Sequence, residues 1–184
     1  VTLNPFKHID RFGTVILPLL LILMKSPFIF GWAKPVPVMF HRLKNPLRDM
    51  VIVAIAGPLT NIALAIISAS ILSMMQNLSL LDNLWLVRTL INFIFINIIL
   101  AVFNMIPIPP LDGGRVAVGL LPKYISYQLA KLERYGLFII IGALFILPLL
   151  GKQIGIPLEP IHWFIQYVSN FLLTIISFLT GLRI

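Results

Sequence analysis

The chain has 184 residues, of which 59% are hydrophobic and only 11% are charged, and its mean hydropathy is +1.02. Soluble domains carry roughly 25% charged residues, so this composition predicts a polytopic membrane protein. The net charge of +8 comes from basic residues in short loops beside apolar segments. That distribution is typical of membrane orientation and does not indicate a nucleic-acid partner. The lack of cysteine excludes disulfides, thiolate metal sites and cysteine nucleophiles.

The first apolar segment, residues 12–32, is interrupted by two prolines and Lys25. Its uninterrupted part, residues 14–24, would rise only about 16 Å as a helix. Because a hydrocarbon core of about 30 Å needs about 20 residues, we expect a re-entrant or packed segment here. Residues 31–38 then alternate valine with proline, a pattern that favours a short extended edge strand.

Four further segments complete the expected fold. Residues 50–75 and 84–106 are each long and apolar enough to cross a bilayer. Residues 136–150 are apolar but short, and residues 161–180 form a last span. Residues 107–135 are mostly polar and are interpreted as a connection. The predicted fold class is an all-α polytopic membrane protein with about four to five transmembrane or re-entrant helices.

Basic residues are distributed unevenly among the loops. They collect in residues 1–11, 31–49 and 107–135 and at the C-terminus, whereas the opposite loops contain only Lys152. The positive-inside rule assigns the basic side to the cytosol. We therefore expect the 107–135 connection and the C-terminus to face the cytosol.

The block from Asn104 to Arg115 reads N-M-I-P-I-P-P-L-D-G-G-R and is the most informative stretch of the chain. Prolines end a helix, and the carbonyls they free are tolerated at membrane depth only in protein or beside water. Asp112 follows them directly. A carboxylate at membrane depth is costly, so it tends to be paired, bound to a metal or functional. The alternative is an ordinary aspartate that caps the next helix.

Polar residues inside the spans are further candidates. Asn97 and Asn104 are seven residues apart and therefore lie on nearly the same helical face. We expect Asn97 to bond a neighbouring helix, whereas Asn104 adjoins the broken helix end and has the better functional claim. Gly57 and Asn61 belong to G-P-L-T-N, which interrupts the 50–75 run. That motif indicates either close helix packing or a polar group directed to the interior.

The three histidines, His8, His41 and His162, show no spacing typical of zinc. None belongs to His-x-x-x-His or His-Glu-x-x-His, which would set two imidazoles on one helical face. We expect each of them to be structural. The sequence also contains no glycine-rich phosphate loop and no nucleotide-binding fingerprint.

Residues 103–113, F-N-M-I-P-I-P-P-L-D-G, resemble the second signature of the site-2 protease family of intramembrane zinc metalloproteases. Further stretches resemble compact prokaryotic members that lack a PDZ domain: L-N-P-F-K-H-I-D at 3–10, residues 30–38 and residues 48–61. The resemblance covers residues 1–122. We therefore expect 1–122 to be a partial protease membrane core and 123–184 to hold C-terminal transmembrane helices.

The resemblance also implies a site. In the family a His-Glu-x-x-His helix supplies two zinc ligands and the general base, and the Asp of Leu-Asp-Gly supplies the third ligand. Asp112 matches that ligand, and Asn104 matches an Asn that contacts the substrate backbone or stabilises the intermediate. The residues expected to support them are Asn61, Pro107 and Gly113. The His-Glu-x-x-His motif is absent from the 184 residues. The family places it just upstream of Val1, so we interpret the sequence as N-terminally truncated and inactive by itself.

These expectations describe a zinc metalloendopeptidase of a prokaryotic plasma membrane. It would hydrolyse membrane-embedded or membrane-associated protein substrates, with the active-site mouth toward the cytosol. The strand at residues 31–38 would hold an unwound substrate by strand addition. The alternatives are a non-catalytic membrane adaptor related to the proteases and a small ion-coupled transporter built on broken helices. Such transporters usually contain paired repeats, which this sequence lacks, and the residues preceding Val1 would separate the three.

Overall fold

The computed structural model describes residues 9–23 and 45–183, and all regular structure in these two ranges is helical. A π-helical turn, Arg11–Ile16, leads into α1, Leu17–Leu23. Residues 1–43 and residues 44–184 form two separate compact units. The predicted all-α class is confirmed, while the predicted strand at 31–38 lies outside the described residues.

The second unit carries the remaining helices. In chain order they are α2 (Pro46–Asn77), α3 (Leu84–Asn104), α4 (Asp112–Leu120), α5 (Lys123–Lys131), α6 (Glu133–Ile141), α7 (Leu147–Ile154) and α8 (Pro160–Thr180). A π-helical stretch, Gly142–Ile146, joins α6 to α7. Four helical segments are long and apolar enough to cross a membrane: Leu47–Asn77, Leu84–Asn104, Glu133–Ile154 and Pro160–Thr180. The polytopic membrane architecture is thereby confirmed.

Local sequence explains where several of these helices begin and end. α2 begins with Pro46, whose missing N–H is no loss in a first turn. The Asn83 side chain caps α3 by accepting a hydrogen bond from the Leu86 N–H at 3.1 Å. α7 and α8 end at Gly155 and Gly181, which adopt the left-handed conformation with φ of +70° and +68°.

The hydrophobic core lies between α2, α3 and α8. Small residues on α2 let the neighbouring backbones approach, and Ala65 and Ala69 are completely buried there. Asn97 is also buried, but its side-chain amide donates to the Phe93 carbonyl of its own helix at 2.8 Å. The expected bond from Asn97 to another helix is therefore wrong. The residues of the buried cluster are Ala65, Ala69, Leu72, Ile94, Ile98, Val102, Ile176 and Leu182.

The C-terminus is attached to the far end of α2. The Gln76 side-chain amide donates to the Arg183 carbonyl at 2.9 Å, and the Arg183 N–H donates to Gln76 Oε1 at 3.2 Å. Gln76 adjoins the turn into α3, whereas Asn104 lies at the opposite end of α3. The C-terminus thus lies at the end of α2 and α3 opposite to Asn104, and its predicted cytosolic side stays a prediction.

The 107–135 connection is more ordered than its polar composition predicts, because it contains α4 and α5. Glycine has a low helix propensity, and α4 contains three glycines in nine residues. Packing on α2 stabilises this helix: a Cβ on Gly119 would overlap Val51 and lie 3.1 Å from the Leu47 carbonyl oxygen. α5 is attached to α4 by the Ser126 hydroxyl, which donates to the Val118 carbonyl at 2.6 Å. The predicted domain boundary after residue 122 falls between these two helices and stays a prediction.

Candidate metal site

The loop between α3 and α4 is built around its prolines. After Asn104, the chain turns through hydrogen bonds from the Ile108 N–H to the Ile106 carbonyl at 2.8 Å and from the Leu111 N–H to the Ile108 carbonyl at 3.0 Å. The prolines cannot donate, so the few remaining N–H groups define the turn. Pro109 is fully buried, whereas Pro107 is exposed. Asp112 follows as the first residue of α4.

Three glycines allow the backbone of this loop to lie close to the rest of the protein. A Cβ on Gly113 would overlap the Met105 carbonyl, and one on Gly114 would overlap Pro109. A third glycine, Gly136, belongs to α6, and a Cβ there would overlap the Pro109 carbonyl oxygen. The predicted supporting role of Gly113 thus has a steric basis, since it sets the start of α4 against the end of α3. Sequence reasoning missed Gly114 and Gly136, and their only signal was glycine beside or within a helix.

The Asp112 carboxylate is directed at α2. Its Oδ2 atom lies where a Cβ on Gly57 would approach it to 3.2 Å. Leu111, which occupies the N-cap position of α4, makes no side-chain cap, and the Asp112 carboxylate makes no hydrogen bond to any described residue. Asp112 therefore does not cap α4 through a hydrogen bond, and its oxygens are left available on the α2 side.

Charge around Asp112 is only partly balanced. Burial raises the pKa of the Asp112 carboxyl, and the Arg115 guanidinium partly opposes this by lowering it. Arg115 also forms an ion pair with Glu133 at 3.8 Å, with both side chains substantially exposed. Exposed pairs of this length are weak. One guanidinium thus lies near two carboxylates, and Asp112 has no cation of its own among the described residues.

The position of Gly57 along α2 indicates the depth of the carboxylate. Gly57 comes ten residues after Leu47, where the candidate span begins, so it lies about 15 Å along the helix axis. The 31-residue span is about 46 Å long, compared with a hydrocarbon core of about 30 Å. If the excess is shared equally by both ends, Gly57 lies about 7 Å inside the hydrocarbon edge. Asp112 would then be below the membrane surface but close to it.

The predicted asparagines lie on α2, which faces this carboxylate, and at the end of α3, where the loop to Asp112 begins. Asn61 follows Gly57 by one helical turn and is half-buried, so it lies on the same face of α2 as the contact with Asp112. Asn104 is half-buried at the end of α3. No hydrogen bond joins Asn104 or Asn61 to Asp112 within the described part of the chain. The structure thus places Asp112 beside Gly57, with Asn61 one turn further along α2 and Asn104 at the start of the loop that leads to Asp112.

Asp112 fits one carboxylate ligand of a zinc ion, because it is a half-buried oxygen donor without a hydrogen bond from the described residues. Residues 9–23 and 45–183 contain no group of three or more His, Cys, Asp or Glu side chains that could hold a metal by themselves. His162 is exposed on α8. His8 and His41 lie outside the described residues. The described residues therefore fit one ligand of a metal centre and do not complete it.

Comparison with known proteins identifies relatives with zinc metalloprotease names. The chain is 37% identical over 158 residues to "Putative zinc metalloprotease YwhC" of Bacillus subtilis, a match that covers 81% of this chain and 66% of that protein. It is 30% identical over 183 residues to "Putative zinc metalloprotease Rip2" of Mycolicibacterium smegmatis, covering 95% of this chain and 64% of that protein. A 64-residue match at 45% identity to "Putative zinc metalloprotease MJ0611" of Methanocaldococcus jannaschii covers 35% of this chain and 31% of that protein. The chain thus spans about two thirds or less of each relative's length.

The family comparison covers the part of the candidate site that lies on α3 and α4. The family described as "Peptidase family M50" matches residues 73–149, a range that contains both Asn104 and Asp112. No solved structure matches the chain. The site-2 protease resemblance is therefore confirmed, and the chain belongs to peptidase family M50, the site-2 protease family.

Proposed function

We propose that the complete protein is an intramembrane zinc metalloendopeptidase in which Asp112 is one metal ligand. The observation that carries this proposal is the Asp112 carboxylate, which lies against Gly57 about 15 Å along a candidate membrane span. A half-buried acid at that depth, without a hydrogen bond from any described residue, needs a cationic partner. Family membership and the names of the relatives support zinc as that partner.

The remaining parts of the centre would come from a His-Glu-x-x-His helix preceding Val1, which would bring two imidazoles and the general base. Zinc held by two histidines and one carboxylate keeps a fourth position for water and acidifies that water. Asp112 would hold the metal against α2 at a fixed depth. Asn104 would donate from the end of α3 to the substrate backbone or to the tetrahedral intermediate.

The substrates we propose are transmembrane or membrane-associated polypeptides. Hydrolysis requires an unwound peptide, because the amide groups of an intact helix are shielded by their own hydrogen bonds. We further propose a prokaryotic plasma membrane as the location. The site near one end of α2 would open to the cytosol through the basic α4–α5 region.

The test uses the complete protein, purified in a mild detergent. We expect wild type to retain about one zinc per chain, as a centre built from protein ligands requires, and to cleave a reporter transmembrane peptide. Asp112→Ala should lose both zinc and cleavage while its thermal unfolding stays cooperative. The matched control is Asp82→Ala, which removes an exposed acid from the α2–α3 turn and should change neither property.

Two outcomes would reject the proposal. Full zinc retention in Asp112→Ala would remove this residue from the centre. Zinc binding without cleavage of any membrane peptide would favour a non-catalytic adaptor over a protease.

A further inference from the structure

A cluster of cations and tyrosines lies at the junction of α5 and α6, and Asp112 does not belong to it. An open cavity of about 420 Å³ is lined there by Ala130, Lys131, Arg134 and Tyr135. The Lys131 ammonium lies 4.2 Å above the centre of the Tyr127 ring, a cation–π geometry that orients the lysine side chain. No residue of α5 is buried. The helix therefore presents these groups outward.

The two cations that line the cavity have no acidic partner in the described part of the chain. The nearest acid in sequence is Glu133, and its carboxylate pairs with Arg115 at 3.8 Å. Lys123 at the start of α5 adds another positive charge, and the other titratable groups on these elements are tyrosines. The cavity is therefore a site of net positive charge, complementary to an anion.

Helix position places this cluster at a membrane–water boundary. The third candidate span is Glu133–Ile154, so Arg134 and Tyr135 belong to its first turn and Lys131 precedes it by two residues. Tyrosine is enriched at the headgroup level of membranes. Tyr127 and Tyr135 are 62% and 55% exposed, as side chains that contact headgroups would be.

An exposed apolar surface continues from the cations into the span. Phe138 follows Arg134 by four residues, so the two side chains are neighbours on one helical face. Phe138 is 71% exposed and lies deeper in the span than Arg134. A ligand that satisfies both residues must combine an anionic head with an apolar tail.

We propose that Lys131 and Arg134 form a binding site for the phosphate of an anionic phospholipid, with an acyl chain lying along Phe138. A free phosphate ion would satisfy the cations but would leave the apolar surface unused. The lipid satisfies both, and it is present wherever the span is inserted. This site is independent of zinc and of the peptidase centre, so its failure would leave the proposed function intact.

The experiment is a lipid titration of the complete protein in a neutral detergent, followed by native mass spectrometry. Phosphatidylglycerol should bind wild type more tightly than phosphatidylcholine does. Lys131→Gln combined with Arg134→Gln should weaken phosphatidylglycerol binding about thirtyfold, since each basic group near the surface contributes about 1 kcal/mol. The matched control, Arg88→Gln combined with Lys152→Gln, removes two exposed cations elsewhere and should leave binding unchanged.

Two further arms distinguish a bound lipid from a bound phosphate ion. Inorganic phosphate should not displace bound phosphatidylglycerol, and Phe138→Ser should weaken the long-chain lipid more than a short-chain one. Unfolding temperatures in lipid-free detergent must match between variants, so that a fold defect is recognised. Equal affinity of wild type for the two lipids, displacement by inorganic phosphate, or equal loss in the control pair would each overturn the proposal.

Discussion

The carboxylate of Asp112 lies beside the open face of Gly57, although 55 positions separate these residues in sequence. A methyl group at residue 57 would lie 3.2 Å from Asp112 Oδ2. The absence of a side chain at Gly57 thus sets how closely α4 brings its first residue to α2. A carboxylate that must meet a metal at a fixed distance depends on such a contact.

Gly57→Ala should therefore weaken zinc binding while the bundle stays folded. The added methyl displaces the carboxylate by a few tenths of an ångström, and changes in groups that orient a ligand typically cost about 10–100-fold in metal affinity. Chelator competition on the complete protein measures this directly. The control is Gly142→Ala, because a Cβ there would meet nothing within 4 Å. Unchanged zinc affinity in Gly57→Ala would show that this contact does not position the ligand.

Asp112→Asn should raise the stability of the metal-free protein near neutral pH. Burial raises the pKa of Asp112, so folding favours its protonated form. The stability that protonated Asp112 adds to the folded protein is fully present below the pKa that this carboxyl has in the unfolded chain. It is lost as pH rises through the pKa of the folded state. Asparagine never ionises, so the advantage of the variant should grow across the acidic range and vanish at low pH. Thermal unfolding in chelator at several pH values measures it, with Asp82→Asn as the control. A stability difference independent of pH would contradict the proposed burial effect.

Gly136→Ala should destabilise the fold without touching the candidate ligand. The new methyl would overlap the Pro109 carbonyl, which belongs to a fully buried residue and cannot rotate away. Overpacking of this kind costs about 1–3 kcal/mol. Thermal unfolding of the complete protein in detergent should show the loss, with Gly142→Ala unchanged or slightly more stable. An unfolding temperature equal to that of wild type would mean that α6 adjusts freely around the loop.

The hydrogen bonds between Gln76 and Arg183 predict the sidedness of the C-terminus. The chain lacks cysteine, so single cysteines can be introduced without background from its own residues. A membrane-impermeant maleimide should label Ser79→Cys and Arg183→Cys from one side, and Lys123→Cys from the other. Labelling of positions 123 and 183 from the same side would contradict the contact between Gln76 and Arg183.

The positions of the membrane spans could be predicted from the sequence, because the hydropathy of a segment depends on its own residues alone. Residues 50–75, 84–106 and 161–180 correspond closely to α2, α3 and α8. The helices inside the 107–135 connection could not be predicted, because α4 depends on close contacts between its glycines and backbone that is distant in sequence. Gly136 lies against Pro109, which is 27 positions away in sequence. Neither residue type predicts that the two are close.

The candidate site was predicted only in part. Asp112 was identified from its expected membrane depth and from its family motif, and Asn104 from that motif and the broken helix end. Asn61 was predicted as a supporting residue, whereas Gly57 was noted only for helix packing, because its position beside Asp112 depends on α4. The roles of Asp112 and Asn104 stay predictions that zinc analysis and cleavage assays can test.

The placement of the buried cluster has a consequence for how the protein tolerates change. Ala65, Ala69 and Leu72 of that cluster belong to the second half of α2, whereas Gly57, which lies beside Asp112 of α4, belongs to the first half. One helix therefore packs the bundle at one end and borders the candidate ligand at the other. We expect substitutions of α8 residues in that cluster to lower the unfolding temperature without altering the surroundings of Asp112.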